Sequence, residues 1–507
     1  MAKNQIKTGV ILSYILIFFK LGIGLIYVPV MIRLLGQSEY GLYTLVGSVV
    51  SYLSLFSLGF TGAYLRFYSR YKIKGDEEEI ARLNGMFINL FMCMSAAAFI
   101  CGMILSGFTD EIFGTKLTLQ ELKRAKVLMQ ILVVNLALTF PSSIFDSIIS
   151  ANEKFIFQRI VAMLGIIFNP MICLPLLLMG YKSIAVVMVT TIITILKLIV
   201  NIVYCKYKLH TKFIFGEFDK SLIKEIAEFS FFIFLNMIID QINWSVDKFI
   251  LGRVRGTSAV AIYGVGAMIN TLYITFSSAV SSVFCPKINM IANGENREHK
   301  FTELFVKVGR IQWIVLGLIM SGFIIFGKFF IVDIYASPEY VDAYYVALFL
   351  IIPITVPLIQ NLGLEIQRSV NKHKFRSKVY FVMSIANIFI SIPLSKAFGA
   401  IGASIGTAVS LIVANGIIMN IYYNREIGIN IKRFWNSIFN LSKGMIVPCM
   451  MGVILIVCVE FTRRSTYIIW IMIYMIVYCI SMYKWGMNAY EKKIVKSIFN
   501  KAKCRRR

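Results

Sequence analysis

The sequence predicts an all-α polytopic membrane protein with about fourteen transmembrane helices. Of its 507 residues, 58% are hydrophobic and only 15% are charged, and the mean hydropathy is +0.75. Soluble domains carry roughly 25% charged residues. Continuous apolar stretches of about 20 residues, the length of a membrane-crossing helix, recur along the whole chain. The strands of a membrane β-barrel would alternate polar and apolar residues instead.

The predicted spans are joined by short connections that leave no room for a soluble domain. They are placed at 10–32, 41–64, 83–107, 126–150, 157–179, 182–205, 225–251, 258–284, 306–332, 343–364, 378–396, 399–422, 444–461 and 467–485. Lys and Arg are concentrated in alternate connections, which predicts that both termini are cytoplasmic in a cell (inner or plasma) membrane. The basic tail after the last span is expected to attract anionic membrane lipid, although a simple topology anchor would have the same composition.

Other functional classes find little support in the sequence. The net charge of +26 is distributed over the connections between spans, so no nucleic-acid partner is expected. The nine cysteines and three histidines have no metal-ligand spacing. Neither a nucleotide-binding Gly-Lys loop nor a catalytic triad pattern is present. We therefore expect no enzyme activity, no cofactor and no metal.

An internal repeat divides the chain into two similar halves. The matching positions, at a constant offset of 220, are Gly36 with Gly256, Ser38 with Ser258, Tyr43 with Tyr263 and Arg33 with Arg253. Six spans separate the copies, so both halves cross the membrane in the same direction, as in transporters that bind substrate between parallel repeats. The predicted domains are an N-lobe over 1–215, a C-lobe over 216–430, and 431–507 with the last two spans and the basic tail.

The first sixty-six residues carry a family resemblance. The positions that carry it are Tyr27, Pro29, Arg33, Leu35, Gly36, Glu39, Tyr40, Gly41, Leu58, Gly59 and Arg66. With the fourteen-span layout, they resemble the polysaccharide-unit flippases of the multidrug/oligosaccharidyl-lipid/polysaccharide exporter superfamily. The resemblance implies two lobes around a central cavity and alternating access.

The resemblance also implies a substrate and partners. The substrate would be an oligosaccharide repeat unit on a polyprenyl diphosphate, moved from the inner to the outer leaflet for surface polysaccharide such as O antigen or capsule. Glycosyltransferases and a polymerase would act before and after it. A cation-coupled multidrug exporter, a peptidoglycan-precursor flippase and a non-transporting scaffold remain alternatives.

Span 7 contains the clearest polar stripe. Asn236, Asp240, Asn243 and Asp247 are spaced i, i+4, i+7 and i+11, which places them on one helical face. We expect this face to line a cavity, with Asp240 and Asp247 as candidate sites for a coupling H⁺ or Na⁺. Hydrogen bonding between helices within a lobe is the alternative.

Cationic side chains in the first half are candidate substrate contacts. Lys20 lies near the middle of span 1 and shares a face with Tyr27, and Lys197 lies nearer the end of span 6. An ammonium group suits a diphosphate, unless an acid neutralises it or it reaches out to the interface. Arg66, at a span end, is a candidate headgroup contact or an interfacial anchor.

Acidic residues at span ends complete the candidate set. Asp146 and Glu365 match at an offset of 219 and are inner-gate candidates, although helix-end packing would explain them too. Lys20 and Asp240 occupy equivalent places at the offset of 220. We expect these two charges to pair in one state and to separate in another.

Overall fold

The structure is a computed structural model that describes residues 2–216, 220–281, 284–292, 296–370, 372, 374–459 and 464–504. Those residues form helices joined by short turns, and no β-strand occurs among them. The all-α polytopic fold predicted from the apolar stretches is therefore confirmed.

The chain divides into two compact units. The first contains residues 1–264 and 391–403, and the second contains residues 265–390 and 404–507. The division into lobes at 215 and 430 stays a prediction based on the repeat.

The first unit holds nine complete helices among its described residues. They are α1 (Ala2–Leu35), α2 (Gln37–Tyr52), α3 (Phe60–Lys74), α4 (Glu77–Gly107), α5 (Thr109–Phe113), α6 (Leu119–Ala151), α7 (Phe155–Leu178), α8 (Ser183–Tyr207) and α9 (Lys220–Arg255). Within this unit α6 packs along α4 and α8, while α1 packs along α7. Aromatic and aliphatic side chains of α3, α4 and α6 form a buried core in this unit, which includes Phe67, Phe87 and Ile144.

The remaining helices belong wholly or partly to the second unit. They are α10 (Thr257–Ser281), α11 (Cys285–Ala292), α12 (Arg297–Phe329), α13 (Val341–Ile359), α14 (Leu362–Ser369), α15 (Lys374–Leu411), α16 (Met419–Tyr422), α17 (Ile431–Ser442), α18 (Ile446–Cys458), α19 (Arg464–Ser481) and α20 (Ala489–Cys504). The start of α10 and the middle of α15 lie in the first unit.

Twelve helical segments among the described residues are long and apolar enough to cross a membrane. One of them, Lys374–Ile427, contains the two spans predicted at 378–396 and 399–422, and the helical dihedral angles are interrupted between them at Gly399. The span predicted at 225–251 corresponds to α9, which is 36 residues long.

The predicted span over 41–64 lies within the candidate membrane span Gln37–Lys74, but the helix is interrupted inside it. A 3₁₀ turn, Leu53–Ser57, follows α2, and Leu58 and Gly59, which precede α3, both have left-handed backbone angles. A Cβ at Gly59 would lie 2.5 Å from the side chain of Ile233 on α9. The close approach of α9 and the backbone break both require glycine here.

Candidate functional site

Lys20 is a charged residue on the exposed surface of an apolar helix. It lies eight residues into the candidate span Leu12–Leu35 and forms no ion pair with any residue that the structure describes. Tyr27, seven residues later on the same side of α1, is buried beside Cys173 of α7 and Tyr43 of α2. Because Lys20 has no ion-pair partner in this part of the chain, the proposed Lys20–Asp240 pair is not formed in this structure.

Lys197 has a different environment from Lys20. Its ammonium group lies 2.5 Å from Oδ2 of Asp146, and Asn201 donates a hydrogen bond of 2.9 Å to Oδ1 of the same carboxylate. α6 supplies the acid and α8 supplies both partners. The structure therefore joins two residues that the sequence analysis treated separately, and Asp146 is neutralised by Lys197 rather than by the basic residues that follow it in the chain.

Polar side chains of α6, α7 and α8 also form hydrogen bonds with each other. The amide of Asn135 on α6 donates to Thr194 of α8 at 3.0 Å, and the amide of Asn169 on α7 donates to Thr190 at 3.1 Å. Hydrogen bonding between helices accounts for these four side chains, as is common in membrane bundles. The ion pair of Asp146 and Lys197 continues the same α6–α8 contact.

The four residues of the α9 stripe do not share one environment. Asn236 and Asp240 are exposed, Asn243 is half-buried, and Asp247 is buried. The hydroxyl of Tyr263, on α10, donates to Asp247 at 2.7 Å. The start of α10 therefore covers only one end of the stripe.

The neighbouring face of α9 packs against α2. Gln241 donates hydrogen bonds to Ser51 of α2 and to Ser245 of its own helix, and Ser57 donates to the sulfur of Met237. This contact determines which side of α9 faces the protein. Asn236 and Asp240 remain on the exposed side.

The other two candidate residues lie on α3 and α14. Arg66 is exposed and stacks over the ring of Phe229 at 4.7 Å, so an aromatic side chain of α9 fixes its position. Glu365, in the second unit, pairs with Arg368 at 2.9 Å within the short helix α14. Each proposed inner-gate acid is thus bound to a basic residue of its own unit.

The polar turn after α1 forms a polar cluster in the first unit, and sequence reasoning did not assign it a role. Glu39 is only 5% exposed and accepts hydrogen bonds from Arg124 at 2.9 Å and from Ser183 at 2.5 Å. Glu121 accepts from Ser38 at 2.6 Å. The starts of α2, α6 and α8 are held together by these carboxylates.

The repeated turn in the second half joins this cluster. Thr257, at the start of α10, donates to Glu121 at 2.8 Å. A Cβ at Gly41 would lie 1.9 Å from the carbonyl oxygen of Thr257, so the two turns approach closely enough to require glycine. Gly36 and Gly256 both have positive φ angles, 78° and 84°, which shape the turns in the same way. The repeat predicted the similarity of the turns but not that they pack on each other.

A buried ion pair in the second unit was also missed. Arg310 of α12 binds both carboxylate oxygens of Glu491 of α20, at 2.6 and 2.8 Å. It also donates to the carbonyl oxygens of Ser437 and Gly486, and the two charged side chains are 8% and 4% exposed. Arg310 lies inside the span predicted at 306–332, and that position was a signal that could have identified it.

Comparisons with known proteins determine the family. The sequence profile of the family described as "Polysaccharide biosynthesis protein" matches residues 6–292, which is more than half of the chain. The chain belongs to this family. Its turn cluster and the Asp146–Lys197 pair lie within the matched region, whereas the Arg310–Glu491 pair lies beyond it.

Relatives of this polysaccharide biosynthesis protein agree with the assignment. A protein of Shigella flexneri named "Putative O-antigen transporter" is 19% identical over 401 residues, which cover 78% of this chain and 91% of the relative. The solved structure of the lipid II flippase MurJ in an inward closed conformation superposes with a TM-score of 0.74 at 18% identity, covering 93% of this chain and 98% of MurJ. An inward-facing multidrug resistance transporter of the MATE family and MOP superfamily gives a TM-score of 0.60 at 14% identity, covering 81% and 99%. The fold is that of these membrane transporters and flippases.

Proposed function

We propose that this protein is a flippase that moves polyprenyl-diphosphate-linked oligosaccharide units from the inner to the outer leaflet by alternating access, for surface polysaccharide synthesis. The observation that carries the proposal is Lys20, an exposed cation within an apolar span and without an ion-pair partner among the described residues. An ionisable group at such a depth is costly and marks a substrate pathway by default. Family membership and the O-antigen transporter relative supply the class of substrate.

The other intramembrane lysine has a secondary role in this proposal. Asp146 and Asn201 already satisfy Lys197 and its acid partner. A diphosphate at Lys197 would have to share its charge with Asp146, whereas Lys20 has no ion-pair partner among the described residues. Lys20 is therefore the first contact for the anionic head of the substrate.

The proposal includes an orientation and a gate. In this proposal the protein lies in the inner or plasma membrane with both termini in the cytoplasm. This orientation places the two repeated turns at the outer surface. The contacts of Glu121 with Ser38 and Thr257 then hold the outer ends of α2, α6 and α10 together. These hydrogen bonds must break for the outward-open state to form.

Further partners follow from the same proposal. H⁺ or Na⁺ is the candidate coupling ion, and Asp240 and Asp247 are its candidate sites; Asp240 is exposed, whereas Asp247 is buried and accepts a hydrogen bond from Tyr263. Anionic lipid is the partner of the basic residues after α19. Glycosyltransferases supply the substrate and a polymerase consumes it.

A deletion strain tests the proposal. We expect the lipid-linked oligosaccharide to accumulate in the inner leaflet and the surface glycan to disappear. The wild-type gene and a Lys123→Gln control, which changes an exposed lysine near the start of α6, should both restore the glycan. Lys20→Gln should not, and Lys20→Arg should retain more export than Lys20→Gln because it keeps the charge.

Three results would contradict the proposal. Unchanged surface glycan in the deletion strain would reject the substrate class. New drug sensitivity with normal glycan would favour the multidrug exporter, and loss of viability from blocked cell-wall synthesis would favour the peptidoglycan-precursor flippase.

A further inference from the structure

An apolar groove of about 370 Å³ runs between α1 and α7 in the first unit. Its walls include Phe19, Gly22, Ile23, Ile26, Pro170 and Leu174. The accessible lining is entirely apolar. A polar or charged ligand would lose its hydration there without compensation, so the groove suits a hydrocarbon chain.

The groove is elongated and open along one side. Its residues on α1 extend from Phe18 to Val30, and twelve residues of helix rise about 18 Å. Phe18 is 74% exposed and Ile26 is 71% exposed, so a chain can enter sideways from the membrane. A Cβ added at Gly22 would have no protein heavy atom within 4 Å, so a larger side chain fits at this point of the groove.

A cation is close in sequence to the groove residues of α1. Lys20 does not itself line the groove, but it directly follows Phe19, and it shares a side of the helix with Tyr27, seven residues later, which does line it. The arrangement places one positive charge beside an apolar channel, which matches a phosphate joined to a hydrocarbon chain.

The position of Lys20 within its span distinguishes two sources of such a ligand, a bulk phospholipid and the flippase substrate. Lys20 lies near the middle of the span predicted at 10–32, whereas the headgroups of bulk phospholipids lie at the two surfaces of a hydrocarbon core about 30 Å thick. A bulk phospholipid would therefore have to pull its phosphate out of the interface to reach Lys20. A flippase substrate must bring its diphosphate to this depth in any case.

We propose that the α1–α7 groove binds the first isoprene units of the polyprenyl chain of the substrate, with Lys20 binding the adjoining diphosphate. The proposal rests on the proposed function and adds the place of the lipid tail: the tail follows α1 and α7 of one unit. Lys20 determines the specificity for the diphosphate, and the groove determines the specificity for the polyprenyl chain.

Photolabelling of the purified full-length protein in nanodiscs tests this. Three diazirine probes are compared: a polyprenyl diphosphate, the same polyprenol without phosphate, and a phosphatidylcholine with a labelled acyl chain. Mass spectrometry then maps the labelled peptides. The variants are Gly22→Leu, which fills the groove, Lys20→Gln, and Gly107→Leu as a control at another glycine with no heavy atom within 4 Å.

We expect the polyprenyl diphosphate to label α1 and α7 in the wild-type protein and in Gly107→Leu. Gly22→Leu should abolish that labelling. Lys20→Gln should reduce it roughly tenfold, the effect of losing one hydrogen bond to a charged group, while leaving the weaker polyprenol labelling unchanged.

Two outcomes overturn the inference and are distinguishable from failure of the proposed function. If the diphosphate probe labels other helices and Gly22→Leu has no effect, the tail binds elsewhere while the function stands. If phosphatidylcholine labels α1 and α7 as well as the diphosphate probe does, the groove is an ordinary lipid contact. If the diphosphate probe binds nowhere on the protein, the proposed function itself fails.

Discussion

At the scale of single residues, the charges within spans separate into satisfied and available groups. Lys197 has Asp146 and Asn201, Arg310 has Glu491, and Lys20 has no ion-pair partner among the described residues. The sequence identified Lys20, Lys197 and Asp146 because charge within an apolar stretch is visible without a structure. It could not identify the pair, since that depends on how α6 and α8 face each other.

A charge swap tests the Asp146–Lys197 pair. Asp146→Asn and Lys197→Gln should each reduce export, because each leaves an uncompensated charge in a membrane span. The double variant Asp146→Lys with Lys197→Asp should recover part of the export and of the folded protein. The measurements are the amount of surface glycan and the yield of monodisperse protein. The single variants Asp146→Lys and Lys197→Asp are the controls. A double variant with no more glycan and no higher yield than these controls would show that the direct pair is unimportant.

At the scale of helices, glycine-mediated contacts and buried pairs fix how elements pack. The repeat predicted two similar turns, at Gly36 and Gly256, and both are present with positive φ angles. The contact between Gly41 and Thr257 was not predictable, since periodicity gives the face of a helix but not its neighbour. The break at Gly59 was missed for the same reason: its cause, Ile233, lies far away in the sequence.

Substitution of Gly41 tests the contact between the turns. Gly41→Ala places a Cβ 1.9 Å from the carbonyl oxygen of Thr257, so the starts of α2 and α10 must move apart. Overpacking of this kind costs about 1–3 kcal/mol. Gly47→Ala in the same helix is the matched control, because no heavy atom lies within 4 Å of its Cβ. Thermal unfolding in detergent should show a lower midpoint for Gly41→Ala only, and equal midpoints would refute the close contact.

The Arg310–Glu491 pair fixes α20 to α12 and α17. Glu491→Gln should lower the free energy of unfolding by about 3–5 kcal/mol, because it leaves a buried guanidinium without its counter-charge. Glu78→Gln is the control, since Glu78 and its partner Arg82 are 65% and 57% exposed and exposed pairs contribute about 0–1 kcal/mol. Unfolding of the second unit can be monitored by measuring how strongly α20 is protected from proteolysis. Equal protection in the two variants would show that α20 is held by other contacts.

At the scale of the whole molecule, the sequence predicted the fold class and family, and the structure and comparisons confirm both. Hydropathy predicts spans well because the bilayer imposes their length. It failed to show the interruption in the second predicted span, at Leu58 and Gly59. Neither hydropathy nor spacing predicts a substrate, so the central claim depends on Lys20, its apolar groove and the family.

Reconstitution of the purified protein in liposomes tests that claim most directly. A fluorescent polyprenyl-diphosphate-linked oligosaccharide is placed in both leaflets, and a membrane-impermeant reductant quenches the outer-leaflet fraction. The account predicts that quenching proceeds beyond that fraction with the wild-type protein and with Lys123→Gln, and stops there with Lys20→Gln and with protein-free liposomes. If the wild-type protein leaves the inner-leaflet fraction protected, or if Lys20→Gln moves the substrate as fast as the wild-type protein, the account is contradicted.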